Sequence, residues 1–121
     1  MNFNNFTIKS QEAVQEAVNL VQSRGQQAIE PEHLMAGLLK VGENVTNFIF
    51  QKLGINGQQI ETVLDRQIAS LPKVSGGEAY LSRSANEVLQ KALEVSKELG
   101  DEYVSLEALL LALLNVKSTV A

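Results

Sequence analysis

The chain has no cysteine. That excludes a disulfide framework and thiolate metal sites, and it fits a reducing compartment. Basic residues are also few: ten Lys and Arg against fourteen Asp and Glu give a net charge of −4 and a pI near 5.0. The ten are scattered, whereas neutralising a nucleic-acid backbone takes a cluster, so no nucleic acid is expected as a partner. No apolar run approaches the roughly 18 residues of a membrane span. The longest, from Ala108 to Leu114, has the length of a buried helix. The opening MNFNNFTIKSQEAV lacks the charged-then-apolar order of a secretory signal. No membrane partner and a cytoplasmic location are the resulting expectations. Histidine occurs once, at His33, and no G-x-x-x-x-G-K-[ST] phosphate loop occurs. By itself the chain is therefore expected neither to bind nor to hydrolyse ATP, and no cofactor or metal is expected in it.

What is present is a repeat. Residues 6–39 align with residues 81–114 at a constant offset of 75, without a gap. Eight positions are identical: Glu12/Glu87, Gln15/Gln90, Ala17/Ala92, Gly25/Gly100, Glu32/Glu107, Leu34/Leu109, Leu38/Leu113 and Leu39/Leu114. Apolar swaps such as Val14/Leu89, Val18/Leu93 and Ile29/Val104 lie between them. A period this long signals a repeated supersecondary unit. With 45% hydrophobic and 20% charged residues in 121, the composition is that of one ordinary globular domain.

Hydrophobic spacing makes the unit helical. Ala13, Val14, Ala17, Val18 and Val21 form one stripe after the cap residue Thr7, ending at Gly25. Glu30-Pro31-Glu32 opens a second helix that runs into Leu34, Leu38 and Leu39. Val45, Phe48, Ile49 and Leu53 make a third stripe, and Ile60, Val63, Leu64, Ile68 and Leu71 a fourth. The first helix recurs with Ser82 or Ser84 as cap and Val88, Leu89, Ala92, Leu93, Val95 and Leu99 as its stripe, and the second recurs after Ser105. Helices are therefore predicted over 7–24, 31–40, 82–99 and 105–114. The predicted organisation is a first repeat at 1–71, a Pro, Gly and Ser-rich linker at 72–80, and an incomplete second repeat at 81–121. The fold class is all-α, a pseudo-twofold double repeat of short helices. Counterparts of helices three and four would begin near residue 118, which suggests a piece of a longer polypeptide. Helix 105–114 is apolar on nearly every face, so without those counterparts three or four leucines are predicted to lie uncovered and to drive self-association.

FTIKSQEAVQEAVNLVQSRGQQAIEPEHLMAGLL, the LPKVSGG linker and GDEYVSLEALLLALL resemble the amino-terminal (Clp N) domain of the Clp family of ATP-driven unfoldases. The resemblance covers the whole chain. IEPEHL and LPKVSG resemble the ClpB disaggregase branch in particular. The resemblance implies a domain that sits on a hexameric AAA+ ring, with ATP and Mg used there, and that meets unfolded or aggregated polypeptides first, with a co-chaperone system as a further partner. It also implies substrate handling at Thr7, Asp101 and Glu107, which match the family pattern as Phe6-Thr7, Gly100-Asp101 and Ser105-Leu106-Glu107.

Each of these has a plainer reading: Thr7 as an N-cap, Glu107 as a first-turn acid favoured by the helix dipole. Val88, Val95 and Leu111 exceed what a narrow stripe needs, so they either line an apolar client groove or belong to the core. His33, beside Glu30 and Glu32, does not share a helical face with both, and Ala108 replaces it in the second copy, so a structural role is preferred to a metal site. No Ser-His-acid or paired-carboxylate constellation is complete, which leaves an independent enzyme without support. The leading reading is a client-binding module of a disaggregase. Its alternative is an adaptor-docking domain of a protease-linked Clp unfoldase, which would bind one folded partner tightly.

Overall fold

The computed structural model describes residues 3–74 and 76–115. Six helices carry them: α1 (Ile8–Ser23), α2 (Pro31–Val41), α3 (Glu43–Leu53), α4 (Gly57–Ala69), α5 (Arg83–Glu98) and α6 (Leu106–Asn115). Two short strands, β1 (Ala28–Ile29) and β2 (Tyr80–Leu81), lie between them. The four helices shared by the two repeats start and stop within a residue of the expected positions. The further helix expected near residue 118 lies outside the described residues.

The repeat extends to single hydrogen bonds. Thr7 Oγ1 accepts the Ser10 N–H at 3.1 Å to start α1, and Ser82 Oγ accepts the Ala85 N–H at 3.0 Å to start α5. Both helices end on a left-handed glycine, Gly25 at φ 67° and Gly100 at φ 76°, where a side chain would be strained. The next amide then reaches back, Gln26 to the Val21 carbonyl at 2.9 Å and Asp101 to that of Ser96 at 2.8 Å.

The two units interlock through short parallel pairings. Ile29 pairs with Leu81 in the β1–β2 ribbon, and Phe6 pairs with Val104 in an isolated bridge. At the offset of 75, Phe6 stands for Leu81 and Val104 for Ile29, so one pairing is made twice, each time across units. Ser82 N–H donates to the Ile29 carbonyl and Thr7 N–H to that of Val104, both at 3.0 Å. The sequence reading missed these strands because two residues are too few to show alternation. The linker is also held: Val74 N–H donates to the Gly25 carbonyl at 3.0 Å, and Gln27 Nε2 to that of Glu78 at 3.2 Å.

Helix α1 packs on α2 and α5 on α6, while α2 and α6 meet each other and α3 reaches both. This corrects the expectation of uncovered leucines. Leu106, Leu109, Leu110 and Leu113 of α6 are buried, and Leu111 and Leu114 are half-buried. Cover comes from α2, α3 and α1 of the first unit as well as from α5, so α6 does not depend on copies of α3 and α4.

Candidate functional site

The three polar residues singled out by the sequence gather around Val104. That residue is three positions after Asp101 and three before Glu107, and its backbone is held by the first unit. Val104 N–H donates to the Asn5 carbonyl at 2.7 Å, and its own carbonyl accepts from Thr7. The buried Val104 side chain anchors this edge, while Asp101 and Glu107 on either side are exposed.

Thr7 is half-buried and its polar groups are engaged. Besides capping α1, its hydroxyl donates to Ser10 Oγ at 2.9 Å, and Ser10 is fully buried. Asp101 owes its exposure to the repeat. Its counterpart Gln26 is buried and bonded to the Ile68 carbonyl at the end of α4 and to His33. The second unit has Asp101 and Ala108 at those places, so neither half of that bonding exists there. Glu107, in the first turn of α6, opens with Asn44, Val45, Phe48 and Ile49 of α3 onto a shallow, mostly apolar recess. Phe48 is 61% exposed, with Lys52 Nζ 5.5 Å from its ring centroid.

Val88 and Val95 do not join this surface. Both are core residues of α5, because α5 faces α2 as well as α6 and needs a wider apolar stripe than one neighbour demands. Leu111 is half-buried and packs on the core's margin. Exposed apolar groups near the edge are Ile8, next to Thr7, and Leu99 and Tyr103, flanking Asp101. Leu99, expected in the apolar stripe of its helix, instead lies just past the end of α5 and is exposed. Ile8 carried a signal, since it stands apart from the Ala13–Val21 stripe of its helix. Electrostatically the second-unit side of the edge is acidic, while the first unit brings Lys9 next to Ile8 and Lys52 over the Phe48 ring. Glu98, Asp101, Glu102 and Glu107 occur in residues 98–115, which contain no Lys or Arg.

His33 is fully buried rather than poised for a ligand. Among the described residues no group of three or more His, Cys, Asp or Glu is arranged to hold a metal ion. No helix there is long and apolar enough to cross a membrane.

Comparison with known proteins places this geometry. Residues 5–121 match the Clp repeat (R) N-terminal domain family. The chain is 79% identical over its whole length to the chaperone protein ClpB of Bacteroides thetaiotaomicron, of which it covers 14%. It is 51% identical over 117 residues to ClpB of Porphyromonas gingivalis, covering 97% of this chain and again 14% of that protein. Among solved structures, the N-terminal domain of the ClpV1 ATPase from E. coli superposes with a TM-score of 0.82 at 25% identity, covering 92% of this chain and 68% of that one. The Hsp104 N-terminal domain from Candida albicans gives 0.83 at 22% identity, covering 94% and 76%, a likeness of fold.

Proposed function

We infer that this chain, which belongs to the Clp repeat (R) N-terminal domain family, acts as the polypeptide-capturing module of a ClpB-type disaggregase. The observation that carries the reading is 79% identity across every residue to a ClpB chaperone. In support stands the edge around Val104, where exposed Ile8, Leu99 and Tyr103 adjoin carboxylates. Such a surface suits unfolded chains, whose apolar segments are what a folded protein hides. Acidic side chains beside apolar ones favour segments that also carry Lys or Arg.

The chain spans 14% of the length of the curated relatives it matches, so capture would be its share of a larger cycle. A hexameric AAA+ ring elsewhere in the polypeptide, with ATP and Mg, would supply the force, and a cytoplasmic co-chaperone system would receive or deliver clients. The residues of this chain do not fit a nucleotide, lacking a phosphate loop, and no step of capture runs through one.

Capture has to be weak, with Kd at or above about micromolar, because a client must pass on to the ring. Binding of a permanently unfolded protein is the test. Asp101→Ala, Glu107→Ala and Tyr103→Ser are each expected to weaken it by about two- to tenfold, with the helical spectrum unchanged. Unchanged binding in all three together removes this edge from the function. Nanomolar, stoichiometric binding of one folded partner instead, with no affinity for unfolded chains, establishes the adaptor-docking alternative.

A further inference from the structure

His33 is the chain's single histidine, fully buried at the start of α2. Its Nδ1 accepts the backbone N–H of Glu30 at 2.9 Å, so that nitrogen carries no proton. The proton of the neutral ring then sits on Nε2, which donates to Gln26 Oε1 at 2.7 Å. Gln26 is thereby oriented, and its Nε2 donates to the Ile68 carbonyl at 2.7 Å and, more weakly, to that of Leu71 at 3.4 Å. A backbone donor fixes one end of this relay and backbone acceptors fix the other. It ties together the start of α2, the turn after α1 and the last turn of α4. The second unit, with Asp101 and Ala108 at the equivalent places, has no such relay.

We propose that the His33–Gln26 pair is an acid-sensitive latch that holds the end of α4 against the start of α2. A second proton has to enter at Nδ1, where the Glu30 N–H already points, and two donors then face each other in a buried site. The ring has to move out, and Gln26 loses the partner that orients it toward α4. Ile60, Val63 and Leu64 of α4 line an apolar groove of roughly 260 Å³ with Met35 of α2 and Leu114 of α6. Release of α4 opens that groove.

Burial holds the ring below its ordinary value of 6.5; Glu32 beside it on α2 pulls the other way, and Arg24 past the end of α1 adds to burial. Glu30, at the cap, is half-buried. On α4 the charged neighbours of Ile68 are Asp65 and Arg66, both exposed, and no charged side chain of α3, α5 or α6 is buried. The unfolded ring titrates near 6.5 and the folded ring lower, so between the two the unfolded chain holds one more proton. The latch's stability is complete above about 6.5 and is lost as pH falls through that window.

Two measurements on the 121-residue chain decide. Denaturant unfolding between about pH 8 and 5 is expected to show the unfolding constant rising by up to about tenfold per pH unit below 6.5 in the native sequence, and no such step in His33→Gln. NMR of the sole imidazole is expected to show the Nε2–H form at neutral pH. On its protonation, amides of the last turn of α4 and of residues 30–34 should exchange faster, while those of α5 do not. A ring that titrates at or above 6.5, or that protonates with α4 exchange unchanged, overturns the proposal. The NMR measurement uses the unaltered chain, so it decides even where His33→Gln fails to fold.

Discussion

Thr7 holds two positions at once, a candidate contact for clients and a working helix cap, and the two separate by substitution. Thr7→Ala removes the acceptor for the Ser10 N–H and the donor to the buried Ser10 hydroxyl, and is expected to cost about 1–2 kcal/mol in chemical denaturation. Thr7→Ser keeps the hydroxyl and is expected within about 0.5 kcal/mol of the native chain. If Thr7→Ser captures clients normally while Thr7→Ala does not, the threonine's contribution is to hold the edge rather than to touch the client; equal losses in both would assign it direct contact through its methyl group. The cap was legible because a small hydroxyl residue preceding an apolar stripe is a local signal. The relay through His33 was not, since Gln26 lies seven residues from it and Gln26's own acceptor, the Ile68 carbonyl, forty-two residues further on, and only the fold joins them. Val88 and Val95 were ambiguous for the same reason: a wide stripe shows that much is buried but not what buries it.

Between elements, the two units differ in how closely their helices approach. A Cβ on Gly37 of α2 would overlap the Ala13 carbonyl oxygen of α1, a backbone atom that cannot swing aside. In the second unit the corresponding residues are Ala112 and Val88, so α5 and α6 are spaced for larger side chains. Gly37→Ala is therefore expected to destabilise by about 1–3 kcal/mol through overpacking, although alanine favours a helix over glycine by about 1 kcal/mol. A thermal melt would check it, and a stabilised variant would show the contact to be compliant. Helix positions were readable from capping residues, glycine stops and spacing, each of which acts within a few residues. The strands were not, and neither was the cover over α6, because both depend on the opposite unit.

At the scale of the whole molecule, the units are joined by reciprocal pairing and by the α2–α6 contact more than by the linker. Gly76 and Gly77 are exposed, with φ of 80° and 86°, and a protease site placed between them should cut a segment that carries little of the structure. After cleavage the halves are expected to co-elute with an unchanged helical spectrum at micromolar concentration. Separation into two species would show that the covalent link, not the pairing, holds the units. The pairing also sets an order of events. Within each unit the helical hairpins close over short stretches and can form in microseconds, but Phe6 meets Val104 only after nearly a hundred intervening residues have been made. At about 5–20 residues per second, a ribosome leaves the amino-terminal segment unpaired for several seconds. In that interval the unpaired Phe6 stands beside the exposed Ile8 at the start of α1, an apolar end of the kind this domain is proposed to capture.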